Sequence, residues 1–181
     1  MKALVTFEDL NDYKLVADSV KNQTIWPEYV SEAQWFDVKS WLGDCLLNEL
    51  ITQASTSPES FTSANQLLLD GGSYTYNSKT YMFQGLKAAI IYYAFARFIN
   101  RSSFNFTQAG ITIKDSDFST PATDKHIQRM ETEARLNADA IKCEVVNFLN
   151  RNYEDYPCWT AAYCGSQGRC GDWRPFHVIG D

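Results

Sequence analysis

Leu86-Lys87-Ala88-Ala89-Ile90-Ile91-Tyr92-Tyr93-Ala94-Phe95-Ala96-Arg97-Phe98-Ile99 is the stretch on which the fold turns, because only Lys87 and Arg97 interrupt an apolar and aromatic run. A helix that is apolar nearly all round needs a partner on every face to stay out of water, which places it at the centre of a bundle. Residues 88–96, the longest unbroken apolar stretch, fall far short of the roughly 20 residues that a membrane-spanning helix needs. The flanking segments must therefore supply amphipathic helices to cover it.

Upstream, Thr6 and Asp9 have the spacing of a capping box, in which each side chain satisfies a backbone donor of the other's turn. A short helix follows with Leu10, Tyr13, Ala17 and Val20 on one face. Pro27 after Trp26 marks the next start, since proline at the first helical position gives up an N–H that had no partner. Tyr29, Ala33 and Phe36 then recur at helical spacing, with Val38, Trp41 and Leu42 behind them, and Gly43 marks a bend before Leu46, Leu47, Leu50, Ile51 and Ala54. Residues 55–70 have loop composition apart from Leu67-Leu68-Leu69. Ser73 to Phe83 places β-prone residues around Asn77-Ser78, a pair suited to a tight hairpin turn.

Downstream, Phe104, Phe106, Ile111 and Ile113 alternate with polar residues and suggest an extended connection over 102–120. Thr120-Pro121 then opens the longest helix, with Ile127, Met130, Ala134, Ala138, Ile141, Val145 and Phe148 in steps of three and four. At 1.5 Å per residue its roughly 30 residues would span about 45 Å, against about 30 Å for a compact domain of this size. Part of it should project or pack on a neighbouring molecule. The fold class expected is mainly α: a small helical bundle over residues 1–152 with one β-hairpin at about 73–83, a long C-terminal helix, and an irregular Cys- and aromatic-rich arm over 153–181.

The whole chain has 181 residues, one domain's worth, with 45% apolar against 21% charged residues, a balance that excludes intrinsic disorder. Its net charge of -6 is uneven: residues 1–60 hold ten Asp/Glu and four Lys/Arg, whereas residues 61–181 hold twelve of each. No basic stripe of the kind that displaces counterions from nucleic acid is visible, which argues against non-specific DNA binding. The first residues, Met1 to Asp9, mix apolar and acidic side chains and form no signal h-region, so the chain is expected to stay where it is made. Five cysteines, two of them in helical segments, fit reduced thiols better than a disulfide framework.

Catalytic signatures are missing from the sequence: there are two histidines, His126 and His177, and no Gly-x-Ser-x-Gly, His-Glu-x-x-His, Walker loop or Gly-x-Gly-x-x-Gly. No enzyme is expected. Gly165-Ser166-Gln167-Gly168 reads as a flexible turn. One constellation could hold metal: Cys158, Cys164 and Cys170 at intervals of six, with His177 seven residues later, form a possible tetrahedral zinc set. The competing reading is apolar packing of the thiols beside Trp159 and Trp173, in which case no cofactor is present. Tyr156, Trp159, Tyr163, Trp173 and Phe176 of the arm are candidate partner-docking anchors, since Trp and Tyr are over-represented where one protein inserts into another. The alternative is that they fold back on their own helices.

The order of parts then resembles a family. A short capped helix, a Trp/Pro-initiated helix ending Trp41-Leu42-Gly43-Asp44, a central Tyr92-Tyr93-Ala94-Phe95-Ala96-Arg97-Phe98 helix, an extended connection and a long Thr120-Pro121 helix are similar to the head-to-tail connector (adaptor, or head-completion) proteins of tailed bacteriophages, in particular those of Bacteroidetes and crAss-like phages. The resemblance covers about residues 4–157. It implies a structural virion protein that forms a homo-oligomeric ring, usually twelvefold, beneath the portal protein. Such a ring meets the downstream neck or tail proteins and extends the channel through which genomic DNA passes unbound, with assembly in the host cytoplasm and no membrane. In this family a terminal arm typically grips the portal, which would suit residues 153–181. Twelve copies of a chain carrying -6 would carry about -72, and a negative lumen repels phosphates. Two other readings remain open: a tail-completion or stopper protein of the same neck, or a zinc-binding regulatory module built on Cys158, Cys164, Cys170 and His177.

Overall fold

The computed structural model describes residues 2–13, 26–56, 60–102, 104–107, 110–113 and 123–159. At its centre lies α6 (Gly85–Ser102), along which Leu86, Ala88, Ala89, Ile90, Ile91, Ala94 and Ala96 have no exposed surface. The run that begins at Leu86 is thus the core helix its composition requires. Its four alanines keep the helix slim, so other backbones approach closely. The most extensive neighbour is α7 (Asp124–Arg151), which presents Ala134, Ala138, Ile141, Val145, Val146, Phe148 and Leu149. The remaining faces are covered by α1 (Phe7–Tyr13), α2 (Trp26–Glu32), the π-helix Ala33–Val38 and α5 (Ser63–Asp70). Two further helices, α3 (Lys39–Leu42) and α4 (Asp44–Ala54), meet at Gly43, whose φ of 88° makes the bend.

The capping box forms: the backbone N and Oγ1 of Thr6 donate to Asp9 Oδ2 at 2.7 and 2.9 Å, and Asp9 N donates back to Thr6 Oγ1 at 3.3 Å. Ala17 and Val20, expected on the same helix face, lie outside the described residues. Residues 63–70 correct the loop expected there. Thr62 caps α5 by accepting from Asn65 N at 3.2 Å, and Leu68 and Leu69 are fully buried. Ser, Thr and Asn suit a cap and a polar face as readily as a loop. Asn65 itself is buried, and its amide donates to Glu49 Oε1 at 2.7 Å and Gln53 Oε1 at 3.1 Å on α4.

Strands β1 (Gly72–Tyr76) and β2 (Lys79–Phe83) form the expected hairpin, paired from Gly72–Phe83 to Tyr76–Lys79. Asn77 and Ser78 both take positive φ, the geometry of a two-residue turn matched to strand twist. A second antiparallel pair, β3 (Phe104–Thr107) with β4 (Gly110–Ile113), replaces part of the expected extended connection, so the fold has two hairpins where one was anticipated. The alternation over these residues is the period of a strand, and it does not distinguish a paired strand from a linker.

The first hairpin is pinned at both ends. At its base Gly71 and Gly85 approach so closely that a Cβ on Gly85 would stand 2.4 Å from Gly71 N, and both have positive φ, 78° and 82°. On its inner side Phe83 stacks on Phe148 of α7 at 4.2 Å between ring centroids, with Tyr74 edge-on to Phe148 at 5.0 Å. The long helix is 28 residues, about 42 Å at 1.5 Å per residue. No α7 side chain before Ala134 is buried, so about ten residues, or ~15 Å, overhang the bundle formed by the described residues. Thr120 and Pro121, expected to open this helix, lie outside the described residues, and the observed start is at Asp124 after Thr123.

Gly85→Ala is expected to lower the unfolding free energy by about 3 kcal/mol, from positive φ and the backbone clash together, when measured by urea denaturation. A loss below about 1 kcal/mol would show that the close approach of residues 71 and 85 is not required.

Candidate functional site

Buried positions from the second helix to the third run 26, 29, 30, 33, 34, 38, 41 and 42, and the turn between them, Ala33–Val38, is a π-helix. A wider turn rotates every later side chain relative to an α-helix. Phe36, expected on the apolar face with Tyr29 and Ala33, is instead 63% exposed, beside Trp35 at 50%. The inward position passes to Gln34, which has no exposed surface. Its Oε1 accepts from Leu4 N at 2.8 Å and its Nε2 donates to Lys2 O at 3.2 Å, so the N-terminal segment is tied down by a satisfied buried amide. One polar side chain goes in and two aromatic ones come out. Counting apolar residues in steps of three and four misses this, because the inward position is held by an amide.

Beside the exposed pair stands a charged node. Arg97 of α6 donates from Nε and Nη2 to the two oxygens of Asp37, at 2.7 and 3.1 Å, and from Nη1 to Glu32 at 3.3 Å. Arg101 reaches Glu32 at 2.7 Å, and Arg135 of α7 lies 3.8 Å from Asp37 and 3.0 Å from Glu131. The fork-on-carboxylate geometry holds the Arg97 guanidinium in its charged form and raises its pKa, against burial that would lower it. The Arg97 guanidinium also lies over the Phe36 ring at 5.5 Å, and the Lys39 ammonium over Trp35 at 3.9 Å. On the same helix Tyr93 donates its hydroxyl to Asp139 Oδ1 at 2.5 Å, and burial, with that bond, raises its pKa. The acidic excess of residues 1–60 is thus partly neutralised across the bundle, since Asp9, Glu32 and Asp37 all meet bases of α6 or α7.

Two surface grooves adjoin these features. One, about 660 Å³, is walled by Trp35, Asp44, Cys45, Leu47, Asn48 and Ile51. The other, about 440 Å³, runs along the overhang of α7 beside Lys125, Arg129, Thr132 and Leu136. On that overhang the stripe that buries Ala134 and Ala138 continues through Met130, 51% exposed, to the partly exposed Ile127. Leu136, off the stripe, is 63% exposed.

Several sequence-based candidates require correction. Tyr156 and Trp159, proposed as docking anchors, are 2% and 6% exposed and belong to the protein's own core. The Tyr156 hydroxyl donates to Ala64 O at 2.6 Å with its ring edge-on to Phe148, and Trp159 Nε1 donates to Asn150 Oδ1 at 3.0 Å. Their polar tips are thus bonded within the protein. Cys158 is bonded to Cys45, with Cα atoms 5.3 Å apart, so these two thiols are not reduced as expected, and Cys158 presents no thiolate to zinc while the bond is closed. Cys164, Cys170, His177, Tyr163, Trp173 and Phe176 lie outside the described residues. Among the described residues no group of three or more His, Cys, Asp or Glu is placed to hold a metal ion, and no helix is long and apolar enough to cross a membrane. His126 is exposed in the first turn of α7.

Fold and surface together define a mainly helical bundle that exposes Trp35, Phe36, Met130 and Leu136 among its described residues. Residues 38–169, more than half of the chain, match the family described as "Family of unknown function (DUF6712)", and the chain belongs to that family. No curated protein and no solved structure matches it.

Replacing Arg97 by Leu removes the fork on the largely buried Asp37 carboxylate, leaving Arg135 beside it at 3.8 Å, and is expected to cost about 3 kcal/mol in chemical denaturation, with Arg97→Lys recovering less than half, because an ammonium cannot fork. A cost under about 0.5 kcal/mol would reduce the node to ordinary surface pairing. Burial raises the pKa of Tyr93 and of Tyr156 above the unfolded value near 10, so stability is full below that pH and falls as pH rises beyond it. In an alkaline titration followed by thermal melts, Tyr93→Phe should flatten that fall; an unchanged slope would contradict the assignment.

Proposed function

We propose that the protein is a structural connector of a tailed-phage neck, assembling as a ring against the portal protein and extending the DNA channel toward the tail. The observation that carries the reading is the presence of two unlike apolar surfaces on one chain: Trp35 and Phe36 beside the π-helix, and Met130 with Ile127 on the overhang of α7. Contiguous exposed apolar patches mark contact sites. When the two contacting surfaces differ, association is head-to-tail, and such contacts close into a ring if the rotation permits. An overhanging helix suits this geometry because, among the described residues, its Met130 stripe is left exposed and offers apolar surface to another molecule. The resemblance in order of parts supplies the particular assembly. The virion neck as location, portal and tail proteins as neighbours, and genomic DNA as passing cargo follow from that resemblance.

The role requires no catalysis and no bound cofactor. Ring formation multiplies the net negative charge, which favours a channel wall that does not hold phosphates. The cross-bundle ion pairs narrow which acids could face a lumen, since Asp9, Glu32 and Asp37 are already engaged.

Mixing the protein with assembled portal and imaging the complex by electron microscopy tests the proposal. A coaxial ring is expected, lost in Met130→Asp while the circular dichroism spectrum is unchanged. No binding by the wild-type protein, or a channel wall that is basic with the acids of residues 1–60 on the outer rim, would overturn it.

A further inference from the structure

The disulfide between Cys45 and Cys158 joins two positions that differ in access. Cys45 is exposed in the first turn of α4 and forms part of the wall of the 660 Å³ groove, whereas Cys158 is half-buried. The apolar groups of that groove, Trp35, Leu47 and Ile51, can receive the organic part of a small molecule, with Asn48 and Asp44 beside them as polar contacts.

The bond is not what brings the two sulfurs together. Tyr156 is anchored to Ala64 and Phe148, and Trp159 to Asn150 and, through its backbone N–H, to Tyr156 O at 2.8 Å. These contacts bracket Cys158 on both sides. Cys45 is held by α4, whose Leu46, Leu47 and Leu50 are buried. Opening the bond therefore leaves two thiols facing each other at a Cα separation, 5.3 Å, within the range a disulfide requires.

We propose that Cys45 and Cys158 form a reversible thiol–disulfide exchange site, in which Cys45 takes a low-molecular-weight disulfide of the glutathione class in the groove and Cys158 resolves it. In the reduced protein the Cys45 thiolate attacks one sulfur of the small disulfide, forming a mixed disulfide and expelling one small thiolate. Cys158, as its thiolate, then attacks Cys45 Sγ and expels the second. Two electrons pass from the cysteine pair to the small disulfide. The two protons released by Cys45 and Cys158 end on the two small thiols. Run in reverse, excess small thiol opens the bond. Closure adds a covalent tie between the turn after α7 and α4, across 113 residues, and the thiol balance of the surroundings sets whether that tie is made. Cys143, half-buried on α7 and not part of the groove wall, is the internal comparator.

The full-length protein is reduced, desalted, exposed to oxidised glutathione, quenched by alkylation and mapped by peptide mass spectrometry. Wild type is expected to close Cys45 onto Cys158 with only a transient adduct, and Cys158→Ser to accumulate one glutathione on Cys45. In Cys45→Ser the adduct at Cys158 should form about tenfold more slowly. Pulse alkylation of the reduced wild-type protein, which involves no substitution, should label Cys45 about tenfold faster than Cys143. Equal adduct rates at Cys158 and Cys45, equal labelling of Cys45 and Cys143, or closure of Cys45 onto a cysteine other than Cys158 would overturn the proposal.

Discussion

Everything in this molecule answers to the need to keep α6 dry. Burying a Leu or Ile side chain is worth about 2 kcal/mol, and α6 carries several side chains with no exposed surface and few polar interruptions. A single amphipathic partner covers only one stripe of such a helix. The chain supplies α7 along one side and α1, α2, the π-helix and α5 around the rest. Two of the three bases of α6, Lys87 and Arg97, fit the same logic. Lys87 pairs with Asp70 at 2.7 Å, and Arg97 is forked by Asp37, so each charge emerges from the core into a carboxylate supplied by a covering helix.

Covering α6 in this way sets what is left over for the surface. The π-turn aligns Ala33 and Val38 with the core and spends one buried position on Gln34, which ties down the N-terminal segment. The consequence is that Trp35 and Phe36 face solvent. The mismatch in length between α7 and the bundle likewise leaves Met130, in its first turns, exposed among the described residues. Both exposed surfaces are thus by-products of how the core closes, and both are suited to contact with another copy or another protein. The root of the C-terminal segment is treated differently: Tyr156, Cys158 and Trp159 are each fastened to an element of the bundle.

The central helix, the first hairpin, the capping box at Thr6 and Asp9, and the excess length of α7 were legible because each rests on a local signal: an apolar run, a turn pair, a cap spacing, a period. What escaped needed non-local information. The helix over residues 63–70 depends on Asn65 finding Glu49 and Gln53, and nothing local distinguishes a buried amide from a loop amide. The exposed Phe36 depends on one wide turn. Tyr156 and Trp159 looked like anchors for a partner because the arm has little core of its own, yet Ala64, Phe148 and Asn150 were waiting for them on other helices. Pairing of Cys45 with Cys158 across 113 residues is likewise a property of the assembled bundle.

Unlike surfaces on one chain make a specific demand on any assembly, that one surface of each copy meet the other surface of the next. A photoreactive amino acid placed at position 36, activated in the portal-bound state and followed by cross-link mass spectrometry, reads this directly. The account predicts cross-links from position 36 to residues 124–136 of a different copy. Cross-links from position 36 to position 36 of another copy, or within one chain only, would contradict it.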